Sequence, residues 1–162
     1  MSDARLTSAV LRDPAGWIAS GFGSGLMPVA PGTWGSAAAV VAWLALRLAD
    51  PVAYGLVVVA AFGIGTWAAG VVARRLGLVD PGVIVCDEIV GQWIALAPLA
   101  WPRASWTWVI AAFVVFRVFD VIKPWPVSWA ESRKGGLGIM LDDVFAGIYA
   151  AIIILLAQRA FG

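Results

Sequence analysis

The stretch GGLGIMLDDVFAG, residues 135–147, joins a glycine-rich turn to two adjacent carboxylates, Asp142 and Asp143, and continues into the apolar segment 144–157. An ionised carboxylate at hydrocarbon depth costs about 2.5–3.5 kcal/mol on insertion scales unless it is paired, wetted or bound to a cation. Two acids at the mouth of an apolar helix therefore need partners, and the other acids of the chain are where to look for them.

The composition places that helix in a membrane protein. Apolar residues make up 62% of the 162-residue chain and charged residues 13%, against about 25% charged in soluble domains. The length suits a single domain. A net charge of +1 without any basic run gives no support for nucleic-acid binding. The single cysteine, Cys86, excludes an internal disulfide. The chain has no histidine, which removes Ser-His-Asp and Cys-His nucleophiles, His-ligated zinc and phosphohistidine chemistry. Catalysis is left to carboxylates, Lys, Arg, hydroxyls and a metal ion.

Working outward, the pattern predicts an all-α membrane bundle of about five apolar helices, two of them short. Residues 1–20 read as an interfacial segment without the features of a cleaved signal peptide. Residues 21–36, GFGSGLMPVAPGTWGS, read as an uncharged loop closing on Thr33 or Ser36 as a helix N-cap. Helix one follows over about 37–48. Helix two covers 52–73, with Gly55, Gly63, Gly65 and Gly70 suited to close helix packing. Helix three starts at Asp87-Glu88 and reaches about residue 101, short for a full crossing. Helix four covers 106–122, and helix five starts at Asp142-Asp143. The ten tryptophans mostly fall near helix ends, as in an interfacial aromatic belt.

Basic residues set the orientation. With five crossings and the N-terminus inside, Arg5, Arg12, Arg74, Arg75, Arg117, Lys123, Arg133 and Lys134 face the cytoplasm, and Arg47, Arg103 and Arg159 face outward. That arrangement brings Asp87, Glu88, Asp120, Asp142, Asp143 and the 21–36 loop to the cytoplasmic end. Gathered acids repel unless a cation joins them, and hard oxygen ligands without His or Cys favour Mg²⁺ or Mn²⁺. The alternative is that each acid is a helix-end residue in contact with water.

Arg117, Asp120 and Lys123 share a helix face at i, i+3, i+6. They are either a salt-bridge ladder or phosphate-binding cations beside a metal ligand. Gly32, Thr33, Gly35 and Ser36 have the composition of an anion cradle at a helix start, or of an ordinary connecting loop. Gly91 and Gly147, each four residues after an acid, clear space for helix contact or for substrate.

Four motifs occur in order: PxxPGTxGS (28–36), DExxG (87–91), FRxxDxxKPxP (116–126) and GGxGIMxDDxxAG (135–147). Together, over roughly residues 20–155, they resemble the phosphatidylglycerophosphatase A family. The resemblance implies an Mg²⁺-dependent phosphatase of the bacterial inner membrane, with its active site on the cytoplasmic face. Such an enzyme hydrolyses the terminal phosphomonoester of phosphatidylglycerophosphate. The family's acidic positions correspond to Asp87, Glu88, Asp120, Asp142 and Asp143, and its basic ones to Arg117 and Lys123. Glu131 stands where Asp is expected, and Ala37 where Leu is frequent. The rival readings are a phosphatase of another lipid phosphate such as phosphatidate and, from a different class, a small cation transporter using intramembrane acids.

Overall fold

The computed structural model describes residues 3–101, 105–131 and 135–161. Within them every regular element is helical: α1 (Asp3–Val10), α2 (Pro14–Ala19), α3 (Pro31–Leu46), α4 (Pro51–Leu76), α5 (Cys86–Leu96), α6 (Trp106–Ile122), α7 (Val127–Glu131) and α8 (Gly136–Phe161), with 3₁₀ turns at Ser24–Leu26 and Ala97–Leu99.

Two helices, α4 and α8, are long and apolar enough to cross a membrane, each of 26 residues and containing an 18-residue stretch of mean hydropathy 2.1 and 2.2, respectively. At about 1.5 Å per residue each is roughly 39 Å long, more than the ~30 Å hydrocarbon core. α3 has 16 residues and α6 has 17. α5 has 11, roughly 16 Å, about half a bilayer.

Local chemistry fixes the boundaries and corrects several expected ones. Pro31 and Pro51 each occupy the first turn of a helix, where the missing N–H costs nothing. α3 therefore starts before Thr33 and Ser36, and neither caps it. Ser36 lies inside the helix, its hydroxyl donating to the Gly32 carbonyl at 2.9 Å. Asp50 caps α4 by accepting from the Val52 and Ala53 N–H groups, and Gly77 ends it in the left-handed region at φ 67°. α5 gives way at Leu96 to a 3₁₀ turn containing Pro98, short of residue 101. α8 begins at Gly136, so Asp142 and Asp143 sit about two turns inside it rather than at its start.

The glycines explain that early start. A Cβ on Gly136 would run into the Thr66 carbonyl, and one on Gly65 would meet the Met140 side chain. α8 is thus packed backbone-close on α4 before its acids are reached, as small residues at a helix–helix contact allow. α5 crosses α8 as closely: a Cβ on Gly147 would meet the Gly91 carbonyl. Gly65 and Gly70 belong to this packing, whereas Gly55 and Gly63 face open space.

The N-terminal segment carries two short helices, α1 and α2. Val10, Ala15 and Ala19 are buried with Ala68, Ala69, Val72 and Ala73 of α4. Arg75 ties the segment down through the Asp13 carboxylate and, at 3.1 Å, the Ala9 carbonyl. Trp43 departs from an interfacial belt: it is fully buried, with the Arg47 guanidinium 4.6 Å from its ring centre.

Candidate active site

α5 presents Asp87 and Glu88 in its first turn, α8 presents Asp143, and the close crossing brings the three together. One carboxylate oxygen from each lies within 4.8 Å of the others. Asp87 and Asp143 are buried. Asp87 Oδ1, Glu88 Oε2 and Asp143 Oδ1 are buried without a hydrogen-bond partner. A buried carboxylate oxygen without a donor costs several kcal/mol, roughly, in desolvation. Three carboxylates converging, each with such an oxygen, fit a hard divalent cation, which needs oxygen ligands and removes the mutual repulsion.

The other two predicted acids are paired with bases. Asp120 Oδ2 lies 2.6 Å from Arg117 Nη1, and the same nitrogen is 3.9 Å from Glu88 Oε1. Arg117 is thus strung between the cluster and Asp120. Asp142 Oδ2 accepts from Lys123 Nζ at 2.8 Å, while its Oδ1 accepts from the Asp143 N–H at 3.0 Å. The i, i+3, i+6 face therefore splits: Arg117 and Asp120 pair within α6, and Lys123 reaches across to α8. Lys123 caps α6 in the left-handed region at φ 48°, a position glycine favours. That the chain carries lysine there, at a backbone cost, ties the residue to its side chain.

The loop residues divide in the same way. Gly32 is at the site: a Cβ there would strike the Glu88 carboxylate and crowd Arg117. Thr33 is exposed at its side. The Thr33 and Trp34 N–H groups bond the Ala30 carbonyl, at 2.9 and 3.3 Å, which leaves the Gly32 N–H as the donor of the first turn. Gly35 packs on Val85 and Ser36 bonds back to Gly32, so these two build the α3–α5 contact. Glu131 ends α7, and its side chain lies outside the described residues, as do Arg103, Arg133 and Lys134.

One polar residue escaped the sequence reading. Gln92 is fully buried and neither of its amide atoms has a partner. It follows Glu88 by four residues on α5, one turn deeper on the same face. Its signal was available as the one uncharged polar side chain in the apolar run 89–96 after the acids.

The chain is similar to known proteins over most of its length. The family model described as phosphatidylglycerophosphatase A matches residues 17–158. Phosphatidylglycerophosphatase A of Escherichia coli (strain K12) is 43% identical over 145 residues, covering 89% of this chain and 83% of the relative. Phosphatidylglycerophosphatase A of Haemophilus influenzae is 41% identical over 150 residues, covering 91% of each. A Bacteroides thetaiotaomicron protein described as "Putative phosphatidylinositol-3-phosphatase" is 45% identical over 153 residues, covering 90% of this chain and 94% of that one. No solved structure matches the chain. With the family model matching residues 17–158 and two relatives of that name above 40% identity over most of its length, the chain belongs to the phosphatidylglycerophosphatase A family.

Proposed function

We propose that this protein is a membrane-bound Mg²⁺-dependent phosphatase that hydrolyses phosphatidylglycerophosphate to phosphatidylglycerol and phosphate. The observation that carries the reading is the trio Asp87, Glu88 and Asp143, with unpartnered buried oxygens, beside Arg117. The substrate comes from the names of the two phosphatidylglycerophosphatase relatives.

Asp87, Glu88 and Asp143 would hold the ion, with Asp120 and Asp142 as outer acids. A bound Mg²⁺ supplies Lewis acidity at the phosphoryl oxygens and lowers the pKa of water. Arg117, braced by Asp120 and Glu88, takes phosphoryl oxygens through its guanidinium fork. Gly32 gives the phosphate room, and its N–H adds a donor at a helix start. A cluster carboxylate accepts a proton from the attacking water, the new P–O bond forms, and the ester P–O bond breaks. Lys123, held by Asp142, gives a proton to the departing alkoxide. Attack by an aspartate carboxylate is the competing route. Solvent ¹⁸O found in phosphate alone supports water attack, and ¹⁸O in an aspartate supports the covalent path.

The five-helix topology, the inside N-terminus and the active site on the cytoplasmic face of the inner membrane belong to the same proposal, resting on the distribution of basic residues. A second reading has one observation behind it: the Bacteroides relative carries a different lipid phosphate in its description. Comparing kcat/KM for phosphatidylglycerophosphate, phosphatidate and phosphatidylinositol 3-phosphate separates the two.

The primary test is phosphate release by purified protein in detergent with Mg²⁺. Asp143→Asn is expected to lower turnover by at least about 10²–10⁴-fold while the protein stays folded. Wild-type turnover in that variant, or undiminished turnover after chelation, would end the metal-site reading.

A further inference from the structure

Two cavities on one side of the bundle share Phe113 and form a single groove along the seam between α3 and α6. The part nearer the acids, about 420 Å³, is lined by Thr33 and Arg117 and otherwise by apolar side chains including Val114 and Val118. The farther part, about 230 Å³, is lined wholly by apolar side chains, among them Ala37, Val40 and Trp106. α3 and α6 touch sparsely, so the seam stays open along its length. The helices run antiparallel here, with Thr33 opposite Arg117 and Val40 beside the start of α6.

We propose that this groove is the acyl-chain site of the phospholipid substrate, with the phosphate at Arg117 and one hydrocarbon tail lying between α3 and α6. The inference rests on the lipid-phosphatase reading above and adds the route by which the lipid reaches the site: sideways, from the bilayer, through the α3–α6 seam.

Three observations carry it. Polarity differs along it: Arg117 and Thr33 line only the part nearer the acids, where Val118, Val121 and Ile122 continue past Arg117, and the farther part is hydrocarbon alone, which matches a charged headgroup carrying an apolar tail. Continuity is given by Arg117 itself, which lines the groove and also pairs with Asp120 and Glu88 of the candidate active site. The length is right: from Arg117 back to Trp106 is eleven residues of α6, about 16 Å at 1.5 Å per residue. One leaflet of a ~30 Å hydrocarbon core is about as deep. The apolar cavity beside Ile18, Phe22, Ile64 and Ile89 has no cation at either end, so it lacks what a phosphate needs.

The test compares dihexanoyl and dipalmitoyl phosphatidylglycerophosphate, with phosphate release followed in detergent micelles. Val40→Phe fills the farther part of the groove, beyond the reach of a six-carbon chain. It is expected to raise KM for the dipalmitoyl lipid by about tenfold, equivalent to about 1.4 kcal/mol of lost binding. Turnover of the dihexanoyl lipid stays near wild type, which also reports that the variant is folded. Leu56→Phe, on the exposed face of α4, is the size-matched control and changes neither. A dipalmitoyl lipid carrying a diazirine at mid-chain should label α3 and α6 in the wild type. Equal effects of Val40→Phe on both lipids, no effect on either, or labelling confined to other helices would overturn the groove. Wild-type protein that releases phosphate from neither lipid would sink the phosphatase reading, and the groove with it.

Discussion

Gly147→Ala tests the geometry on which the acid cluster depends. α5 and α8 meet backbone to backbone: a Cβ on Gly147 would run into the Gly91 carbonyl, and one on Gly91 into the Asp143 carbonyl and the Phe116 ring. Asp87 lies four residues before Gly91 and Asp143 four before Gly147, so a separation forced at the crossing reaches both acids within one turn. Restoring an ordinary contact of about 3.5 Å needs the helices to part by roughly 1 Å. A 1 Å misplacement at a reacting centre costs on the order of 10²-fold, or about 2.7 kcal/mol of barrier. Overpacking costs about 1–3 kcal/mol of stability, and alanine in a helix returns about 0.8–1 kcal/mol relative to glycine. The net loss of stability is then roughly 0–2 kcal/mol, smaller than the loss of activity. The assay pairs Mg²⁺-dependent phosphate release with thermal unfolding in one detergent. Gly63→Ala, where a Cβ meets nothing, should keep full activity and gain up to about 1 kcal/mol. Wild-type kcat/KM in Gly147→Ala would refute the view that this crossing sets the spacing of the acids.

Three further outcomes follow from single contacts. Lys123→Met strands the buried Asp142 carboxylate and should cost about 3–5 kcal/mol, whereas Lys123→Met with Asp142→Asn should recover most of the melting temperature without recovering turnover. Gln92→Met removes two unpartnered amide atoms from a buried position. It should stabilise the protein by about 1–3 kcal/mol while lowering kcat/KM; unchanged kcat/KM would make Gln92 a packing residue. The Arg75 hydrogen bond first, then the Gly16 N–H, hold the Asp13 carboxyl below its ordinary 3.8. A depressed folded pKa gives stability that is complete above the unfolded value and is lost as pH falls through the folded one. The melting-temperature gap between wild type and Asp13→Asn should therefore be constant from about pH 5 upward and close below about pH 4; a gap that widens on acidification contradicts it.

The sequence carried the chemistry of the candidate site better than its geometry. Asp87, Glu88 and Asp143 were legible because charge in an apolar chain is rare and each instance needs a reason. Helix-end punctuation was legible as well, since Pro51 and Gly77 act through their own backbone. What escaped were tertiary decisions. Asp142 and Asp143 read as a helix start because glycines usually mark turns, yet Gly136 and Gly138 are the first turns of α8, where Gly136 lets the backbone lie on α4. Ser36 read as a cap from its type, but Pro31 sets the start of α3 a turn and a half earlier. The division of five acids into three that converge and two that pair with Arg117 and Lys123 depends on side-chain direction across helices, which one-dimensional spacing does not contain.

The glycine contacts and the acid cluster are linked by a requirement rather than by chance neighbourhood. α5 alone has 11 residues, about half a bilayer in length, and in a membrane bundle a helix gains little from hydrophobic burial. It stays in place through close contact with α8 at Gly91 and Gly147. Three carboxylates at the same end push the two helices apart. Packing at the crossing and charge neutralisation at the cluster thus act on one coordinate, the α5–α8 separation. A ligand that binds the folded state alone stabilises it by mass action, so Mg²⁺ should raise the melting temperature of the wild type. Gly147→Ala should weaken that rise and Asp143→Asn should abolish it. Equal Mg²⁺ shifts in all three proteins would show that the ion binds elsewhere.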